Sequence, residues 1–378
     1  MLRNQPSRFQ ASRTVHCYMG DETPSVRMTY GNYLQLDELL GLQSGPEGHN
    51  PLPSNHEMHF IITHQAFELW FKQIITELKQ ALSLMNNDEI DEKNIPIIVQ
   101  HMERCSEIFR LLASQWKVME TLSPQDFLAF RDRLGTSSGF ESWQMRALEM
   151  LMGLKNEQRV GGMDPMLHNK KLLSEGKLSK EVYAELEKID SMPSINDVLK
   201  DWLSRTPING VSMDETVMQS FVENHISIMK SHGEKVISHM VEIGHGEESS
   251  IRPRIEAGIN SASDFLMPDG VVIPHRAGLL FIESYKELPL LSWPRRLIDS
   301  LVDLEESMLL FRSHHARMVE RMIGRRMGTG GSSGVDYLDM TLNYRIFTDL
   351  WAIRTLLVKR DELPNPTNPE FYGYASEN

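Results

Sequence analysis

Two histidines and one arginine stand out by their surroundings. His64 lies one helical turn from Phe60 and one turn from Glu68, so on a helix the three share a face. An imidazole among aromatics is either a hydrogen-bonded core residue or a polar group set over a ligand in an apolar pocket. His315 follows His314 in a long apolar run, with Phe311 and Met318 on its own face. The spacing of Leu301, Leu304 and Met308 turns His315 inward and His314 outward. A histidine on a helix lined by Met and Leu suits an axial haem ligand, and equally a core or interface residue.

Arg131 stands near the end of a helix, before the small-residue loop Leu134-Gly135-Thr136-Ser137-Ser138-Gly139. A guanidinium fork holds a carboxylate through two parallel bonds; the plain alternative is a charge at a helix C-terminus. Ser138 and Gly139 offer a hydroxyl and backbone groups to a ligand, or form only a turn. The run GTGGSSG at 328–334 lacks both the strand of a dinucleotide fingerprint and the GK[ST] of a phosphate loop. A mobile lid whose Thr329 hydroxyl reaches a polar ligand fits better; a linker is the alternative. No HExxH, GxSxG or cysteine-nucleophile context occurs, so the common hydrolase signatures are absent.

The elements that must carry these residues read as helices. Ser54 caps a helix to Met85, with Glu57 as capping-box partner and apolar residues spread too widely for one surface stripe. Pro96 opens a helix to about Leu122, and Ser123-Pro124 opens another bearing Phe127 and Arg131. Further helices are expected at about 140–154, 180–190, 194–204, 214–243 and 276–287. A second long one runs from Ser292 to Gly324, and shorter ones cover 336–342 and 345–358. Residues 155–175 and 244–275 read as irregular. His225, His232 and His239 repeat every seven residues, two turns or ~10 Å apart, too far for one metal ion; they read as solvent-facing or interface residues. The fold class is all-α: residues 1–27 form a flexible arm, 28–360 one helical domain with 155–275 as an inserted helical segment, and 361–378 a tail.

Composition narrows the function. A net charge of −13 argues against a nucleic-acid surface. Cys17 and Cys105 alone make neither a disulfide framework nor a thiolate zinc site, and suggest a cytoplasmic protein. No apolar run approaches membrane-spanning length. Arg3, Arg8 and Arg13 faintly suggest a mitochondrial presequence, although a disordered tail fits better.

Several segments together resemble the tryptophan 2,3-dioxygenase family, tetrameric haem enzymes that open the indole ring. They are YGNYLQLDELL at 30–40, FIITHQAFELWFKQI at 60–74, FRDRLGTSSGF at 130–140, HARMVERMIG at 315–324 and GTGGSSG at 328–334, with RAGLLFIESYKELP at 276–289 looser. The resemblance implies haem b with His315 as axial iron ligand, and His64 as the distal acceptor of the indole N–H. Phe60, Phe127 and Leu134 would wall the indole, Arg131 would pair with the substrate carboxylate, and Thr329 would meet its ammonium and carboxylate end. Ser138 and Gly139 would lie beside the haem edge. Tyr30 and Tyr33 would reach a neighbouring subunit's pocket in a homotetramer. The implied reaction joins L-tryptophan and O2 to give N-formylkynurenine. Phe311 replaces a tryptophan common in the family, and His59, Ser137, Glu141 and Met145 also differ. These departures keep open a haem monooxygenase acting on a tryptophan or indole derivative. A haem- or tryptophan-binding sensor is the non-enzyme alternative.

Overall fold

In the computed structural model, the Ser54 hydroxyl accepts the Glu57 amide at 3.2 Å and starts a helix of 31 residues. The structure describes residues 28–45, 51–86, 90–135, 137–326 and 334–373. The chain divides into two units, Met1–Leu52 and Pro53–Asn378. The first holds α1 (Tyr30–Leu34) and α2 (Leu36–Leu39).

The second holds α3 (Asn55–Met85), α4 (Ile95–Met119), α5 (Pro124–Arg131), α6 (Trp143–Met152), α7 (Pro165–Ser174), α8 (Lys180–Asp190) and α9 (Ile195–Ser204). It continues with α10 (Glu215–Glu242), α11 (Glu248–Leu266), α12 (Pro274–Ser284), α13 (Ser292–Ile323), α14 (Gly334–Thr341) and α15 (Thr348–Ala352). Among the described residues there is no strand, only an isolated bridge between Ile208 and Val211. The all-α expectation holds. No described helix is long and apolar enough to cross a membrane.

The long helices α3, α4 and α13 pack together and set the frame of the site, with α6 against α3 and α14 against α13. The core of α3 is one broad face: Phe67, Phe71, Ile74, Leu78, Leu82 and Met85 are buried. Ile62, Leu69 and Trp70 stand on the outer side, so part of the apolar spread that exceeds a single stripe is exposed. At the end of α6, Gly153 adopts φ 107, and a Cβ there would sit 2.6 Å from Ser194 Oγ. That close approach admits only glycine.

Three readings of the middle segment need correction. Residues 165–174 are helical because Asp164 caps the amides of Met166 and Leu167 and Pro165 occupies the first turn. Residues 248–266 are helical even though Pro253 lies inside the helix, past its first turn, where it gives up the amide bond to the Ser249 carbonyl. There Arg252 ties Glu248 and Glu234 across α10 and α11. His225 is not at the surface: it is 1% exposed, and its Nε2–H donates to the Leu356 carbonyl at 2.8 Å. Toward the C-terminus, the Tyr372 hydroxyl donates to the Pro207 carbonyl at 2.7 Å, and the Tyr372 ring is seated in the core.

Candidate functional site

A cavity of about 300 Å³ opens where α3, α4, α5, α6, α13 and α14 meet. Phe60, His64, Phe127, Arg131, Leu134, Ser138, Gly139 and His315 all line it. Residues scattered over the sequence from α3 to α13 thus meet in one space.

From α3 the His64 ring enters beside Phe60, with centroids 4.0 Å apart. Its Nδ1 lies 2.8 Å from the Phe60 carbonyl oxygen. A carbonyl can only accept, so Nδ1 carries the proton and Nε2 presents a lone pair. Burial lowers the His64 pKa below its usual value, with the Phe60 bond opposing in part. The ring is therefore neutral at physiological pH. Phe60 also meets Phe127 and Phe130 of α5, at 5.9 and 5.6 Å, so an aromatic wall stands next to the acceptor.

From α13, His315 faces the cavity while His314 turns to α4, its Nδ1–H donating to the Ala113 carbonyl at 2.9 Å. The inward residue is the one the spacing selected. Burial, reinforced by His64, pushes the His315 pKa down to about 3, so it too is uncharged. Trp116 of α4 stacks on it with centroids 4.4 Å apart and planes 2° from parallel. The same indole lies 6.5 Å from His64, so both imidazoles border one volume.

Arg131 ends α5 and Leu134 ends the 3-10 turn after it; Gly135 closes that turn at φ 57. Ser138 accepts the amide of Phe140 at 3.3 Å. Thr329 lies outside the described residues. Tyr30 and Tyr33 belong to the N-terminal unit and are 76% and 74% exposed.

Sequence reasoning missed part of the lining. Trp116, Arg146, Glu149, Arg312 and Tyr337 all border the cavity. Glu149 is buried and accepts from Arg146 at 2.8 Å, from Arg312 at 2.6 Å and from Arg159. Burial opposes its ionisation, but the three guanidiniums outweigh burial and hold its pKa below the ordinary carboxylate range. No spacing rule brings Glu149 and its three arginines together; the packing of α6, the loop after it and α13 does. Among the residues that depart from the family pattern, Phe311, Ser137 and Met145 line the cavity. Glu141 pairs with Lys177 at 3.0 Å, and His59 Nε2 meets the Val118 carbonyl at 3.1 Å.

Comparison with known proteins points the same way. The profile of the tryptophan 2,3-dioxygenase family matches residues 17–357. Tryptophan 2,3-dioxygenase 2 of Ralstonia nicotianae is 38% identical, over 93% of this chain and 98% of its own. The tryptophan 2,3-dioxygenase of Sorangium cellulosum is 37% identical, over 98% of this chain and 93% of its own. That of Aedes aegypti is 34% identical, over 89% and 87%.

Proposed function

Because the chain belongs to the tryptophan 2,3-dioxygenase family, we propose that the cavity lined by α3 and α13 is where that family's reaction takes place. The chain is an oxidoreductase that opens the indole C2–C3 bond of L-tryptophan with O2, giving N-formylkynurenine.

The family implies haem b, and the donor set suits it. Among the described residues, no group of three or more His, Cys, Asp or Glu side chains is placed to hold a bare metal ion. A haem would take one imidazole of the protein as its ligand. His315 offers one: uncharged, facing the cavity, and held by stacking rather than by a hydrogen bond to a described residue. We assign it as the iron ligand. When bound, haem supplies O2 binding and the redox chemistry.

The chain's own residues bind and orient the substrate. One observation carries this reading: the His64 Nδ1–H is committed to the Phe60 carbonyl, which leaves Nε2 as an acceptor beside an aromatic wall. An indole N–H is the donor that matches it, with Phe60, Phe127 and Leu134 enclosing the ring. Arg131 pairs with the substrate carboxylate through a charge-assisted fork. Thr329 meets the ammonium and carboxylate end, and Ser138 and Gly139 border the cofactor edge. Enclosure keeps water from the reacting bond, and the fixed contacts supply orientation. Tyr30 and Tyr33 complete a neighbouring subunit's pocket in a homotetramer.

The test is the mass of the product after anaerobic reduction and addition of L-tryptophan and labelled O2. Two labelled oxygen atoms support the reading. One labelled oxygen with a need for external reductant shifts it to a monooxygenase, and a purified protein without a Soret band removes haem from it.

A further inference from the structure

Glu57 and Arg133 form an ion pair between the start of α3 and the turn after α5, with Oε2 and Nη1 3.0 Å apart. Glu57 stands in the first turn of α3 and is 4% exposed. Arg133 sits in the 3-10 turn Asp132–Leu134, two residues beyond Arg131 and one before Leu134. Phe60 follows Glu57 by three residues, and His64 follows Phe60 by one turn. The pair therefore joins the root of one cavity wall to the segment that carries the other.

The Gly135 amide reaches the Asp132 carbonyl at 3.3 Å, and the Ser137 amide reaches that of Leu134 at 3.0 Å. Gly135 then leaves at φ 57, a conformation glycine adopts without strain. A buried carboxylate at a helix N-terminus is favoured by the helix dipole, but it still needs a cationic partner. Glu57 Oε2 makes no aligned hydrogen bond, so charge rather than hydrogen-bond geometry holds the contact. Such pairs contribute little net stability and serve better to fix an arrangement.

We infer that Glu57, acting through Arg133, is a positioning residue for Arg131. It anchors the turn that presents the guanidinium, so ordering of that group is completed before substrate arrives. The inference rests on the assignment of Arg131 as the carboxylate partner.

The test uses the full-length haem-loaded protein and spectral titration of the Soret band with two ligands. L-tryptophan carries the carboxylate; tryptamine has the same ring and ammonium without it. Glu57→Gln and Arg133→Gln are each expected to weaken L-tryptophan binding about tenfold, the scale of a small misplacement of a positioning group. KM should rise by the same factor with kcat and haem content retained, and tryptamine affinity should not move. The double variant should bind L-tryptophan no more weakly than either single one, because both remove one shared contact. Unchanged L-tryptophan affinity in both single variants, beside a loss in Arg131→Ala, overturns the inference and leaves the Arg131 assignment standing. No loss in Arg131→Ala overturns the assignment itself. Equal losses for both ligands would mean general loosening and would also overturn the inference. If Glu57→Gln fails to fold, Arg133→Gln decides alone.

Discussion

The indole of Trp116 lies flat on the imidazole of His315, with ring centroids 4.4 Å apart and planes 2° from parallel. Trp116 is 3% exposed, is also packed on Phe67 at 4.2 Å, and leaves its Nε1 without a partner. The contact fixes the plane of the imidazole by shape rather than by a hydrogen bond. Trp116→Ala should cost roughly 3–5 kcal/mol of stability, as for other buried aromatic truncations, and should speed haem loss. Trp116→Phe keeps a stacked ring and removes the orphaned N–H, so it should be the milder change. Urea unfolding and the rate of haem transfer to a scavenging globin measure both effects. Equal haem loss in the two variants would remove stacking as the cause.

His64 should matter to turnover and not to haem retention. Its Nε2 acceptor is matched by the substrate N–H, so 1-methyl-L-tryptophan, which lacks that donor, should bind the parent protein about 1 kcal/mol more weakly. In His64→Ala the two ligands should bind alike. Loss of haem from that variant would mean that the two histidines exchange roles.

Much of this site was legible because local chemistry set it. Ser54 with Glu57, and Ser123 with Pro124, are capping signals, and the helices start where those residues stand. The spacing along α13 selected His315 over His314 without knowledge of α4. The unread part is tertiary. Trp116 was one apolar residue among many on α4, and its partner is about two hundred residues away in sequence. Glu149 and its three arginines come from α6, the loop after it and α13, so no window contains the cluster. His225 was misread because a seven-residue repeat does not say which face meets the core. Residues 248–266 were misread because Pro253 weighs as a helix breaker, yet the helix runs through it.

The Glu149 cluster should be sensitive to loss of its one negative charge. Glu149→Gln leaves three buried guanidiniums facing one another and should destabilise the fold by roughly 3–5 kcal/mol. Because the folded-state pKa lies below the ordinary value of 4.5, the carboxylate's contribution is present above that pH and is lost as pH falls toward the folded value. Arg312 in this cluster stands one turn before His315, so the Soret band of the variant should broaden as well. Urea unfolding near neutral pH checks the first point, and an unfolding midpoint unchanged from the parent would show that the arginines find other partners.

His225 should make stability fall on mild acidification. Its Nε2–H is committed to Leu356, its Nδ1 is buried without a partner, and burial favours the neutral ring. The folded-state pKa is therefore lowered from 6.5, although the Leu356 bond opposes in part. Between the two values the unfolded chain binds more protons than the folded one. Stability is then full above pH 6.5 and declines as pH drops from there toward the folded value, by up to about 1.4 kcal/mol per pH unit for one proton. His64 and His315 add the same trend in haem-free protein, so the comparison must be between variants that share them. His225→Gln retains an N–H donor for the Leu356 carbonyl and removes the titration. Urea unfolding of both proteins from about pH 7.5 down to about pH 5.5 should give a slope against pH shallower in the variant by about one proton. Identical slopes would place the proton uptake at another group.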